Sequence, residues 1–166
     1  MSNPYDFIQK MAEAVRDNAA VLAYCKTNFN KGILVQIDDD GEDPIDSGKV
    51  PYCCIFALSA GNDSPVSEGA DLKFKVEVGT APITEPPYKS TTTTRTTLAN
   101  GLDKYGAGEK AADLLDLCLT AMRAVYVGEG QLMAESTIQA DGILMFPLQI
   151  ASSVVSIIEA NDMSTF

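Results

Sequence analysis

From residue 5 to about residue 29, apolar side chains recur at three- and four-residue steps. Phe7, Ile8, Met11, Ala14, Val15, Leu22 and Cys25 form one stripe, while Lys10, Glu13, Arg16, Asp17 and Lys26 fall largely off it. That period predicts one amphipathic helix. Asn3 is placed to cap it and Pro4 to occupy its first position, where a missing amide costs nothing. Asn30-Lys31-Gly32 is placed to end it. A second helix is predicted over 109–127, with Ala111, Leu115, Cys118, Met122 and Tyr126 in line and Leu114, Leu119 and Val125 widening the stripe. Asp113, Asp116, Thr120 and Arg123 take the opposite face, and Gly128 is positioned to close the helix.

The remaining apolar segments carry a strand period. Ile33–Ile37 is short and β-branched. Val50–Ser59 is apolar on both parities, as expected of a strand covered on both faces. Asp71–Val78 alternates strictly, Leu72, Phe74, Val76 and Val78 against Asp71, Lys73, Lys75 and Glu77, and so predicts a half-buried antiparallel strand. Gly61–Pro65 reads as a hairpin-like link before it. Two strands close the chain, about 132–139 and 148–159, with Asp141-Gly142 as their turn and Pro147 ahead of the last. Between the third strand and the second helix, about 80–106 reads as a long Pro/Thr-rich loop in which the Thr run has the β-propensity to add to an offered edge. The expected fold is a single α+β domain over 1–166. Its sheet is antiparallel or mixed, of about five strands with two helices on one face, in the order α-β-β-β-loop-α-β-β.

Composition narrows the chemistry. The chain has 166 residues, 12 Lys+Arg against 23 Asp+Glu and a net charge of −11, which opposes a surface built to hold phosphates. It contains no histidine, so His-dependent triads and His-containing zinc sites are excluded. The four cysteines, Cys25, Cys53, Cys54 and Cys118, have no metal spacing; Cys53 and Cys54 on one strand would point to opposite faces, and all four are expected as buried free thiols. The N-terminus has neither the basic nor the apolar region of a signal peptide, and no run of about 18 apolar residues could span a bilayer. Synthesis in the cytoplasm and no membrane partner are the expectations.

Three apparent motifs fail, two on their spacing and one on its placement. In Asp38-Asp39-Asp40-Gly41-Glu42-Asp43, setting Gly41 at the sixth position of a calcium loop puts Gln36 first and Ser47 twelfth, where an Asp and a bidentate Glu are needed. Gly101–Lys110 lacks the Lys-Ser/Thr that must directly follow the last glycine of a phosphate loop. Asp113 and Asp116 lie on the polar face, without the burial that would split a carboxylate pair. No catalytic residue, cofactor or metal site is expected. What remains concerns surfaces: an alternating strand, a β-prone loop and strand edges open to neighbours.

The apolar strand VPYCCIFALS, the alternating strand DLKFKVEV, the helix EKAADLLDLCLTAMRAV and the ending FPLQIASSVVSII, in this order over about residues 4–159, resemble the tail terminator family of long-tailed bacteriophages. The resemblance implies a non-catalytic virion protein, made in the host cytoplasm. Its copies would form a hexameric ring on the head-proximal end of the tail tube, stop polymerisation and present the head-joining surface. The implied partners are further copies of itself, the tail tube protein and a head-completion or connector protein, with DNA passing through unheld. A neck or tube protein is the alternative within the class, and a small acidic adaptor or inhibitor the alternative outside it. Candidate assembly contacts are Ser90, Thr91, Thr92, Thr93, Thr94, Arg95, Thr96 and Thr97, with Lys73 and Lys75. Candidates for an acidic channel wall are Asp38, Asp39, Asp40, Glu42 and Asp43.

Overall fold

The computed structural model describes residues 4–38, 50–60, 72–80, 95–125, 131–135, 139–145 and 148–159. In chain order these form α1 (Pro4–Asp17), α2 (Ala19–Phe29), β1 (Leu34–Ile37), β2 (Tyr52–Ala60), β3 (Leu72–Thr80), β4 (Arg95–Thr97), β5 (Asp103–Tyr105), α3 (Gly106–Arg123), β6 (Gln131–Glu135), β7 (Gln139–Met145) and β8 (Leu148–Glu159). The class is α+β.

The N-terminal helix differs from the single one expected. It stops at Asp17, and Asn18, in an extended conformation, accepts from the amides of Ala20 and Val21 and so caps a second helix. The restart changes the phase of the apolar stripe. Phe7, Ile8, Met11, Ala12 and Val15 of α1 are buried, as are Val21, Cys25 and Phe29 of α2, but Leu22 is turned outward and 42% exposed. Asn30 ends α2 in the left-handed conformation, its amide on the Lys26 carbonyl at 3.0 Å.

Six strands make one sheet in the order β1-β2-β3-β8, and β6 and β7 share the far edge of β8. Most pairs are antiparallel, but β1 runs parallel to β2 with Leu34 opposite Tyr52, so the sheet is mixed. Parallel pairing requires a crossover between the end of β1 and the start of β2. The C-terminal strands also depart from expectation. Asp141-Gly142 is no turn: it lies within β7, where the pairing with β8 shifts register between Ala140 and Gly142, the signature of a bulge. The loop expected over 80–106 contains a hairpin of its own, β4 paired to β5 with Arg95 opposite Tyr105. The second predicted helix begins earlier and ends earlier than its pattern suggested, at Gly106 and Arg123.

All three helices cover one face of the sheet. Alternation sends Val35 and Ile37, Cys53 and Ile55, Phe74, Val76 and Val78, and Ala151, Val155 and Ile157 to that side, where they meet Ala111, Leu114, Leu115, Cys118, Leu119 and Met122 of α3 and the apolar stripes of α1 and α2. The opposite face holds a smaller cluster of Val50, Tyr52, Cys54 and Ile150, with half-buried Phe56 beside it. Cys53 and Cys54 thus serve different clusters, as a period of two dictates. Asn3, the link at 61–65, Tyr126, Gly128 and Pro147 lie outside the described residues.

Candidate functional site

β3 carries two of the candidate contacts. Its helix-facing residues are closed off, while Lys73, Lys75 and Glu77 on the other face are half-buried. Lys75 is held locally: its ammonium is 2.8 Å from the Glu77 carboxylate and lies 5.8 Å from the centre of the Phe56 ring, its cross-strand neighbour. The second oxygen of Glu77 accepts from the Tyr52 hydroxyl at 2.9 Å. Burial, and then the Glu77 charge, raises the Tyr52 phenol well above its ordinary range. The Tyr52 ring lies over its cross-strand partner Gly79, where a Cβ would overlap the ring itself. Glycine is needed there for close approach.

Asp38 is the described member of the proposed acidic wall. It follows β1 with a positive φ of 56°, and its amide donates to the Ile55 carbonyl at 2.9 Å. One carboxylate oxygen accepts from the Ala57 amide at 3.1 Å and the other from the Tyr5 hydroxyl at 2.9 Å. Asp38 therefore ties the start of α1 to the middle of β2. Asp39, Asp40, Glu42 and Asp43 lie outside the described residues.

Of the Thr-rich segment, Ser90, Thr91, Thr92, Thr93 and Thr94 lie outside the described residues, and Arg95, Thr96 and Thr97 form β4. The β-propensity of the segment's described part is satisfied here by β5, with Arg95 opposite Tyr105, and not by the main sheet. Asn100-Gly101, the strongest short hairpin signal, lies at the centre of this hairpin, where the sequence pattern alone predicts only loop. Gly101 adopts a φ of +85° there.

Cys25, Cys53, Cys54 and Cys118 are free and buried. Burial pushes the Cys25 thiol up to about 11, and a hydrogen bond with Cys53, followed by burial, raises that of Cys118. Thiols so shifted are poor nucleophiles at neutral pH. Gly106 and Gly108 are helical residues of α3, so the stretch that superficially resembled a phosphate loop has no loop geometry at that point. Asp113 and Asp116 are exposed on α3. Among the described residues no group of three or more potential ligands is placed to hold a metal ion, and no helix is long and apolar enough to cross a membrane. Compared with known protein families and with curated proteins, the chain matches none.

Proposed function

We propose that this chain is a structural subunit of a long-tailed phage virion, resembling the tail terminators. Copies form a hexameric ring on the head-proximal end of the tail tube, stop its growth and offer the surface to which a head-completion protein joins. The observation that carries this reading is the β4–β5 ribbon, which belongs to a separate two-stranded sheet although it lies between two elements of the main core. Ribbons and sheet edges that stand apart are what subunits use to pair with neighbours. The element order adds support: the N-terminal helical segment, β2 and β3, α3 and the closing strands follow the order that carries the family resemblance.

The reading assigns no catalysis and no cofactor. It makes DNA a passenger: at −11 per subunit, a ring repels a phosphate backbone that gains affinity from basic contacts. The test is to add the purified chain to polymerising tube protein and measure tube lengths by negative-stain microscopy. Growth should halt, with a ring at one end of each tube. Tubes that lengthen at an unchanged rate would overturn the reading.

A further inference from the structure

The β4–β5 ribbon turns through Leu98-Ala99-Asn100-Gly101-Leu102, and residues 97–102 are all exposed. The Leu98 amide donates to the Leu102 carbonyl at 2.7 Å and the Gly101 amide to the Leu98 carbonyl at 2.9 Å. Gly101 takes a φ of +85°, the left-handed conformation with which three-residue hairpin loops commonly end. The Asn100 side chain is drawn into the turn as well, because its Oδ1 accepts from the Leu102 amide at 3.1 Å. That bond lays the carboxamide alongside the intervening Gly101 peptide.

A backbone nitrogen can attack the side-chain amide of the asparagine before it, and it does so most readily when it belongs to glycine, which has no Cβ to shield it. Of the chain's seven asparagines, only Asn100 precedes a glycine. A Cβ built on Gly101 would meet nothing within 4 Å beyond its chain neighbours, so the surroundings leave the approach open too. The reacting groups belong to adjacent residues, so attack closes a five-membered ring without a second molecule. The Leu102 amide assists. As the nitrogen adds to Cγ, negative charge gathers on Oδ1, and the Leu102 N–H is already directed at that oxygen, as donors are in sites that stabilise acyl-transfer intermediates. What opposes attack is the bond from Gly101 to Leu98, which must open; in an exposed turn water takes its place.

Asn18 provides the contrast within the same molecule. Its Oδ1 also accepts from backbone amides, Ala20 at 3.0 Å and Val21 at 3.1 Å, but the residue after it is Ala19, which opens α2. There the donors are in place while the nitrogen carries a Cβ beside it and is fixed in the first turn of a helix. Only at Asn100 does the sequence supply an unshielded nitrogen as well.

We infer that Asn100 is a self-modifying site, at which the folded chain converts its own side-chain amide to a carboxylate. The Gly101 nitrogen gives its proton to solvent base and bonds to Asn100 Cγ. The Cγ–Nδ2 bond then breaks, and Nδ2 leaves as ammonia with a proton from water. Water adds to either carbonyl of the resulting succinimide and opens the ring, leaving an aspartyl or an isoaspartyl residue at position 100. Overall, one water is consumed and one ammonia released, with nothing oxidised or reduced. Either product puts a carboxylate on a ribbon that over 95–102 holds Arg95 and no acid. The isoaspartyl product also lengthens the backbone by a methylene inside the loop that the Leu98–Leu102 bond closes. The modification does not depend on the role proposed for the chain.

Peptide mass spectrometry on the full chain tests it. The purified protein is held in mildly alkaline buffer at physiological temperature, sampled over weeks and digested, with electron-transfer fragmentation to separate aspartyl from isoaspartyl products. A parallel sample is kept unfolded in guanidinium chloride in the same buffer. In the folded sample the peptide containing Asn100 should gain the mass of an amide-to-acid exchange, at a rate no lower than in the unfolded sample and ahead of every other asparagine, Asn18 included. Gly101→Ala should slow the conversion in both samples, and the unfolded sample reads this even where alanine disturbs the left-handed turn. Conversion confined to the unfolded sample would mean that the turn protects Asn100, and would overturn the inference. Earlier conversion at another asparagine, or an unchanged rate in Gly101→Ala, would overturn it as well.

Discussion

Phe74 and Tyr52 are aromatic residues on adjacent central strands, both buried, and they face opposite sides of one sheet. Phe74 sits on the helix side in a continuous apolar core in which aliphatic and sulfur side chains of the helices meet those of the strands. Tyr52 sits on the other side in a small cluster, its ring over Gly79 and its hydroxyl on Glu77, which also holds Lys75. The first side is held by apolar area and tolerates no loss of volume. The second is held by one close backbone approach and a short chain of polar contacts, so it is more exacting in shape and smaller in energy. Strand β3 serves both because its alternation is strict: Phe74, Val76 and Val78 serve the first, Lys75, Glu77 and Gly79 the second.

The largest effects should come from the helix side. Leu115→Ala, mid-stripe on α3 and fully buried, should destabilise by about 2–5 kcal/mol in denaturant titration, and Phe74→Ala by about 3–5 kcal/mol. A cost below about 1 kcal/mol for either would mean that the enclosed core is not the dominant one.

The helix side was also the more legible in sequence. The α3 stripe is regular enough that its buried and exposed faces follow from period alone, and β8 runs over Leu148–Glu159 as its pattern predicts. What escaped prediction depends on information that a period does not carry. Asn18 sits in a run that remains roughly helical in pattern, and only its capping ability, after Asp17 and before Ala19-Ala20, hints that the helix restarts there. A short apolar strand such as β1 has no mark of direction, so its parallel pairing with β2 could not be read. Asp38 looked like one of a row of loop acids; its partners, the Ala57 amide and the Tyr5 hydroxyl, are distant in sequence and come together only through the fold. The Asn100-Gly101 signal is present in the sequence, but the Pro/Thr composition ahead of it and the shortness of the two flanking strands hide the hairpin.

On the second face, Gly79→Ala should cost about 1–3 kcal/mol, because a Cβ there meets the Tyr52 ring and something must shift. The comparison sharpens if the same change is made in a Tyr52→Ala background. With the ring gone, the cost of Gly79→Ala should largely vanish, a coupling that a double-mutant cycle measures. An undiminished cost would place the strain in the backbone and not in the ring.

Removing the Tyr52 hydroxyl is a smaller change. Tyr52→Phe should cost about 0.5–1.5 kcal/mol at neutral pH, the ordinary net worth of a hydrogen bond, with Glu77 left to Lys75. The cost should then respond to pH with a definite sign. The folded-state phenol is raised above its ordinary value of 10.0. Between the unfolded and folded values the unfolded chain has lost a proton that the folded chain keeps, so stability present below about pH 10 falls as pH rises further. Phenylalanine has no such proton. The gap between wild type and Tyr52→Phe should therefore narrow in urea titrations carried above pH 10, and a gap independent of pH would contradict a buried neutral phenol.

The smallest effect belongs to neither face. Asp113 and Asp116 lie on the outer side of α3, exposed, while their neighbours Leu114 and Leu115 are buried. Replacing both with Asn removes charge from a chain that already carries −11, so self-repulsion eases slightly while no packing is lost. Surface changes of this kind move stability by less than about 0.5 kcal/mol, and the unfolding midpoint should stay within that margin. Tube capping should also be unchanged, because the proposed function draws on the β4–β5 ribbon and the sheet edges and not on these carboxylates. A double Asn variant that keeps its midpoint but loses capping would give these carboxylates a role in the assembly.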